Sequence, residues 1–139
     1  MMRRLFVVLA LSGCVALAQA APAAGQADFD LGRAYRHGAG VERDSARAFS
    51  LVGDAARAGH PAAMFILSAM LGTGEGTRRD DAAARIWLES AADLDHPEAM
   101  QQLAMNLKDG VGGFERDERR SAQLMAQVAH ALKHRAHGH

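Results

Sequence analysis

The sequence predicts an all-α protein, an αα-hairpin solenoid built from three repeats of about 36 residues. Two observations lead to this fold class. The letters HPAAM at 60–64 return as HPEAM at 96–100, 36 residues later. The same shift aligns glycine, small and apolar positions from residue 27 to residue 132, which divide into repeats at 27–62, 63–98 and 99–132. A period of this length is typical of stacked helical hairpins.

The first twenty residues have the pattern of a secretory signal peptide. Arg3 and Arg4 precede an apolar stretch over 5–18, and Ala18-Gln19-Ala20 supplies the small-x-small cleavage pattern. The apolar stretch is shorter than the roughly 18 residues expected of a membrane span. We therefore expect a signal peptide at 1–20, a short linker at 21–26, and an exported protein that is periplasmic or secreted.

Cys14 leaves a second form of export open. The run Leu11-Ser12-Gly13-Cys14 resembles a bacterial lipobox, in which Cys14 would be lipidated and the product would be a membrane-anchored lipoprotein. Cleavage after Ala20 would instead remove the chain's one cysteine. The exported protein would then have no disulfide, and its core would have to stabilise the fold alone.

Each repeat begins with a helix whose apolar positions lie four residues apart. This spacing places them on one face, which we expect to be buried: Ala27, Leu31 and Tyr35; Ala63, Leu67 and Leu71; Ala99, Leu103 and Leu107. A Gly-x-Gly follows each of these stretches. Because glycine adopts the positive φ that ends a helix, we expect each first helix to end there. The glycine-rich stretch GTGEG at 72–76 is predicted to be such a turn.

A second helix follows each turn. Asp44, Asp80 and Asp117 stand where a carboxylate can accept the first free N–H groups of that helix. Asp117 joins the register if Gly113 is one inserted residue. Small and apolar residues again mark one face of the second helix: Ala48, Leu51 and Ala55; Ala84, Trp87 and Ala91.

The repeated HPxAM segment is predicted to be the joint between repeats. Gly59 ends the second helix of the first repeat, and Asp95 takes the same place in the second, since aspartate tolerates the left-handed region. Pro61 and Pro97 then occupy the first turn of the next helix, where the missing N–H costs nothing. The methionine of each joint faces a neighbouring helix.

These residues resemble the Sel-one-like repeat family, a relative of the tetratricopeptide repeats. The resemblance covers nearly the whole chain beyond residue 26, and it implies antiparallel helix pairs stacked in a right-handed superhelix. It also implies adaptor work, in which a protein partner is held in a complex. The third repeat matches less well, with Gly113 inserted and Ser121 and Leu124 in place of alanine and tryptophan. We expect it to close the stack with a polar outer face.

Composition and motifs argue against nucleic acid binding and catalysis. Sixteen basic residues balance sixteen acidic ones, so the chain lacks the strongly basic character of nucleic-acid-binding proteins. No GxSxG, SxxK, HExxH or P-loop occurs. We therefore expect a non-enzymatic scaffold without a cofactor, which binds a peptide or protein on the concave face of the solenoid. A membrane contact is expected only if Cys14 is lipidated.

The candidate partner-binding residues lie on the first helices, off the buried face: Arg33, Arg36, Ala69, Gly72, Met105 and Lys108. Met64, Met70, Met100 and Met105 would form an adaptable apolar strip if they were exposed. The interpretation that we favour places these methionines in the core between repeats.

A histidine-rich tail at 133–139 suggests an alternative function. His130 and His134 share a helix face, and His137 and His139 follow around a glycine. Neutral imidazoles in a short tract can bind Zn²⁺, Cu²⁺ or Ni²⁺. The chain could therefore be a periplasmic transition-metal binder, or the tail could be a solvated end whose cations complement the last helix dipole.

Overall fold

The computed structural model describes residues 23–136, which form three helical hairpins in sequence. The described residues contain helices and no strand: α1 Gln26–His37, α2 Ser45–Arg57, α3 Pro61–Thr73, α4 Asp81–Asp93, α5 Pro97–Asp109 and α6 Glu118–Ala136. We call α1, α3 and α5 the first helices and α2, α4 and α6 the second helices. The predicted fold class is confirmed.

The helix boundaries follow the predicted glycine and aspartate positions. Gly38, Gly74 and Gly110 cap the first helices in the left-handed conformation, and each backbone N–H donates to the carbonyl four residues earlier. The carboxylates of Asp44, Asp80 and Asp117 accept the backbone N–H three residues later, at distances of 2.9–3.0 Å. The predicted turn at 72–76 therefore begins two residues later than expected, because Gly72 and Thr73 form the end of α3.

The joint between repeats is a tight connection that reverses the chain. Gly59 has a φ of 91° and Asp95 a φ of 56°, so both take the left-handed conformation that was predicted for them. Pro61 and Pro97 each start the following helix. Because only three residues join α2 to α3, the two helices run antiparallel and pack side by side.

The core lies along the contacts within each hairpin and between consecutive hairpins. Helices α2 and α3 pack together, as do α4 and α5, and these contacts join the repeats. The second and third repeats bury the predicted stripes of their first helices: Ala63, Leu67, Leu71, Ala99, Leu103 and Leu107. Leu67 is only 3 % exposed, close to the centre of the stack.

A serine hydroxyl bridges the hairpin in the second repeat and in the third, in opposite directions. Ser68 Oγ on α3 donates to the carbonyl of Ala84 on α4, at 2.7 Å. Ser121 Oγ on α6 donates to the carbonyl of Ala104 on α5, also at 2.7 Å. Positions 68 and 104 are equivalent in the repeat, as are 84 and 121, so the same contact is made from either side.

The first repeat differs from the expected burial. Ala27 and Leu31 are exposed, and the buried residues of α1 are Phe29 and Gly32. The prediction that Ala27 and Leu31 are buried was therefore wrong. The reason is positional, because α3 and α5 pack their stripes against a preceding second helix and no described helix precedes α1.

The third repeat also differs from expectation at the other end of the stack. We expected a polar outer face, but α6 exposes Met125 and Leu132. Helix α6 has 19 residues, where α2 and α4 have 13. It continues to Ala136 because Leu132 occupies the position at which Gly59 and Asp95 end the earlier helices.

No helix within residues 23–136 combines the length and apolarity that a membrane span requires. The predicted signal peptide and Cys14, like His137 and His139, lie outside the described residues.

Candidate interaction surface

The candidate surface consists of the first-helix positions that point away from the buried stripe. Two rows cross the three repeats at the 36-residue spacing. One row contains Arg33, Ala69 and Met105, all exposed. The other contains Arg36 and Gly72, which are half-buried, and the exposed Lys108.

The two rows have small residues in the middle and long residues at both ends. Ala69 and Gly72 of α3 lie between the long side chains that the first and third repeats contribute to the two rows. Small side chains between long ones leave room for an extended or helical segment of a partner.

Three side chains on this surface are available to a partner. Met105 is 56 % exposed, one of seven large apolar side chains that the described residues expose. The guanidinium of Arg33 lies 5.7 Å from the ring centre of Phe29. No ion pair among the described residues includes Arg33 or Lys108, so both cations can receive an acidic group.

Arg36 is instead committed to a contact between repeats. Its Nε and Nη2 donate to the two carboxylate oxygens of Glu75, at 3.0 and 2.9 Å. The hydrogen bonds from Arg36 hold the pKa of the Glu75 carboxyl below its usual value, and they outweigh the opposing effect of partial burial. Because Glu75 lies 39 residues further along the chain, the sequence spacing gave no sign of this pair.

The methionines divide between the core and the surface. Met64, Met70 and Met100 are buried, as the favoured interpretation expected. Met105 alone among the four is exposed, so the four residues do not form a continuous strip. The apolar part of the candidate surface is therefore one side chain in the third repeat.

The two joint histidines are in different environments. His60 Nδ1 accepts from the backbone N–H of Ala63, its Nε2 lies 3.0 Å from Gln26 Oε1, and its ring stacks on Phe29. His96 makes no such cap, and its Nε2 lies 3.3 Å from Glu98 Oε2. Burial lowers the pKa of His96, although the Glu98 carboxylate opposes the shift.

Two of the four predicted metal ligands come together on α6. His130 Nε2 and His134 Nε2 are 3.2 Å apart, and both side chains are exposed. Two nitrogens that bind one ion at about 2.1 Å are separated by about 3.0–3.4 Å, depending on the bond angle. The pair therefore has the separation of two ligands on one metal, which is also that of a hydrogen bond between the two rings. Residues 23–136 contain no cluster of three or more metal-binding side chains.

Three serine hydroxyls of the described residues make hydrogen bonds to the backbone. Ser68, Ser90 and Ser121 each donate to a backbone carbonyl. None of these bonds joins a serine to a histidine, as an activated nucleophile would require.

Comparison with protein-family models identifies the repeat from which the three hairpins are built. Residues 25–60, 61–96 and 97–130 each match the family model of the Sel1 repeat. No curated protein sequence shows significant similarity to the chain.

Two solved structures are similar to this chain. A Sel1 repeat protein from Oxalobacter formigenes is 26 % identical with a TM-score of 0.72, and the match covers 75 % of this chain and 41 % of that protein. The protein c5321, a protective antigen present in uropathogenic Escherichia coli strains and displaying an SLR fold, is 28 % identical with a TM-score of 0.71. That match covers 77 % of this chain and 23 % of c5321. This chain thus spans less than half the length of either protein.

Proposed function

Because the chain belongs to the Sel1 repeat family, whose members generally act as protein-interaction scaffolds, we propose that it is a non-enzymatic adaptor that binds a protein partner on the first helices. In a helical solenoid these helices are expected to line the concave side. The observation that carries the proposal is the exposed Met105, which lies on the same surface as the unpaired cations Arg33 and Lys108.

The chemistry of this surface favours a particular kind of partner segment. Met105 offers a flexible apolar contact that adapts to different side chains. Arg33 and Lys108 favour carboxylates at the two ends of the bound segment, where Arg33 can form a bidentate pair. A segment with one apolar anchor between acidic residues fits this arrangement.

Affinity purification from the cells that make the protein tests this proposal. Tagged wild-type protein is compared with Met105→Glu and with the control Ser50→Glu, which alters an exposed position on α2. We expect one dominant protein to co-purify with the wild type and the control, and to be lost from Met105→Glu because a buried carboxylate is costly. Equal recovery from all three proteins would contradict the proposed surface.

We also propose that the protein is exported, on the basis of the signal-peptide pattern at 1–20. Signal peptidase cleavage after Ala20 places it in the periplasm or outside the cell, whereas lipidation of Cys14 anchors it to a membrane. The mass of the mature protein separates these forms. A mass that starts at Ala21 supports cleavage, a lipid adduct on Cys14 supports anchoring, and an intact chain in the cytoplasm contradicts export.

The pair formed by His130 and His134 favours a second candidate function, the binding of Zn²⁺, Cu²⁺ or Ni²⁺. Calorimetry compares the wild type with His130→Gln/His134→Gln, with His137→Gln/His139→Gln and with the exposed control His37→Gln. We expect the first double variant to lose metal binding and the control to retain it. Unchanged binding in the first double variant, or no binding by the wild type, would exclude this function for the pair.

A further inference from the structure

The two ends of the stack expose residues at positions that the interior of the stack buries. We call Ala27, Leu31 and Gly40 the N-terminal face, and Met125 and Ala129 the C-terminal face. Because the repeat defines which positions are equivalent, each residue can be compared with its counterparts in the other two repeats. The comparison shows which neighbour each end lacks among the residues that the structure describes.

At each junction between repeats, a second helix packs against the first helix of the next repeat. The N-terminal face has the residues that the first helix contributes to such a junction. Leu31 is 44 % exposed, while the equivalent Leu67 and Leu103 are almost completely buried. Ala27 is exposed, and the equivalent alanines of α3 and α5 are fully buried. In α3 and α5 these residues pack against the second helix of the preceding repeat, which α1 lacks among the described residues.

The glycine turns allow a second comparison, which does not depend on side-chain exposure. A Cβ atom placed on the equivalent Gly76 would collide with the carbonyl of Ser45, so the turn of the second repeat lies directly on the start of α2. A Cβ atom placed on Gly40 would meet no atom of the described residues within 4 Å, and one placed on Gly112 would meet Asn106 and Phe114 of its own repeat. The backbone contact therefore forms at the junction of the first two repeats, and Gly40 lacks it among the described residues.

The C-terminal face carries the other half of the junction, the half that a second helix supplies. Met125 is 48 % exposed, while the equivalent Val52 and Leu88 are buried. Ala129 is exposed, and the equivalent Ala56 and Ala92 are buried. Because Met125 and Ala129 are four residues apart, they form one apolar stripe along α6.

We propose that a second molecule of this chain docks head-to-tail, with its N-terminal face on the C-terminal face of the first molecule. The two faces are the two halves of a contact that the chain already makes twice, between α2 and α3 and between α4 and α5. The third junction, between molecules, therefore continues the internal stack. Such an interface leaves one free face at each end, so the assembly grows beyond a dimer unless it closes into a ring.

The charges at the two faces are complementary in this arrangement. The end of each second helix lies beside the start of the next first helix, because a three-residue joint connects them. Docking therefore brings the start of α1, with Asp30, to the end of α6, with Lys133 and Arg135, while Asp28 takes the position that Met64 and Met100 occupy in the interior. Opposite charges at the rim favour this pairing and make it sensitive to salt.

The test uses sedimentation velocity on the protein as its own cells process it, from about 1 µM to about 1 mM, a range that covers weak self-association. We expect the average mass to rise past that of a dimer with increasing concentration, and to fall when salt is added. A protein that stays monomeric throughout would overturn the proposal and would indicate that another segment or another protein covers these faces.

Two variants make the test specific to the faces. Leu31→Glu blocks the N-terminal face and Met125→Glu blocks the C-terminal face, and each variant alone is expected to stay monomeric. A mixture of the two is expected to form dimers and nothing larger, since each molecule retains one opposite face. Ile86→Glu, at an exposed position outside both faces, serves as the control and is expected to assemble like the wild type.

The outcomes of the mixing experiment separate this proposal from others. Self-association by either variant alone would show that a different surface mediates assembly. A mixture that stays monomeric, or that grows past a dimer, would contradict the pairing of these two faces. The result is independent of partner binding on the first helices, which the Met105→Glu variant tests separately.

Discussion

Arg36 and Glu75 form a bidentate ion pair that joins the first helix of one repeat to the turn of the next. Arg36 Nη2 lies 2.9 Å from Glu75 Oε2, and both side chains are about one-fifth exposed. An ion pair that is held by two parallel hydrogen bonds and is partly shielded from water is stronger than a single contact at the surface. It therefore adds a polar link to the apolar packing between the first two repeats.

A double-mutant cycle measures this coupling. We expect Arg36→Met and Glu75→Gln to couple by about 1 kcal/mol at neutral pH in urea denaturation. The exposed pair formed by Arg79 and Asp81 within one repeat is the control and is expected to couple by close to zero. Because Arg36 lowers the pKa of Glu75, the coupling is present above the ordinary carboxyl pKa and is lost as the pH falls through the lowered pKa. Equal coupling in both pairs would contradict this role.

Leu67 and Leu31 occupy the same position in the repeat and should differ sharply in their contribution to stability. Leu67→Ala is expected to lower the free energy of unfolding by about 2–5 kcal/mol, because it leaves a cavity in the core. Leu31→Ala is expected to cost below about 1 kcal/mol, because the side chain is already half in water. Denaturation of dilute protein measures both, and similar costs would mean that the burial assigned to α1 is wrong.

Gly76 and Gly40 provide a matched comparison of the backbone contact between repeats. Both have a positive φ, so alanine at either position costs about 1–2 kcal/mol of backbone strain. Gly76→Ala is expected to cost about 1–3 kcal/mol more, because its Cβ would collide with the backbone of Ser45. If thermal unfolding shows the two variants to be equally stable, the turn of the second repeat does not lie on α2 as described.

His96 should make the stability of the fold depend on pH near neutrality. Burial lowers its pKa in the folded state, so the folded protein binds fewer protons there than the unfolded chain does. The associated stability is present above the unfolded pKa of about 6.5 and is lost as the pH falls through the lowered value. Between pH 7.5 and pH 5.5 the wild type is expected to lose stability. We expect His96→Gln to remove the part of this loss that about one titrating group contributes. The exposed control His37→Gln is expected to leave the loss unchanged, and an equal effect of both substitutions would contradict the assignment.

The fold could be predicted because the signals that define it are local. Asp44, Asp80 and Asp117 cap helices through a backbone N–H only three residues away. Gly74 and Asp95 adopt the left-handed conformation that their position in the repeat requires. The position of the joint could be predicted from Pro61 and Pro97, because within a helix proline is best accommodated in the first turn.

The predictions of burial were wrong where burial depends on a neighbouring helix and not on the spacing of apolar residues. The stripe through Leu31 has the same spacing as the stripe through Leu67, but the described chain provides no helix to cover it. Met125 matches Val52 in position, and periodicity alone cannot show that no described helix packs on it. A polar outer face was expected of the third repeat, and α6 exposes Met125 and Leu132 instead.

The candidate site was predictable only in its location. The spacing of the repeat places Arg33, Met105 and Lys108 on the exposed side of the first helices. It could not show that Arg36 is engaged by Glu75, because that contact depends on how two repeats pack across 39 residues. His130 and His134 were expected to share a face, and their ring nitrogens do approach within 3.2 Å.

The central claim is that a protein partner binds the exposed side of the first helices, and site-specific photocrosslinking tests it most directly. A photoreactive residue replaces Met105 in one strain and Ser50, on the second helices, in another, and both proteins are irradiated in living cells. We predict that one partner is crosslinked at position 105 and that none is crosslinked at position 50. Crosslinks to the same partner at position 50 and none at position 105 would place the binding surface on the second helices and contradict the claim.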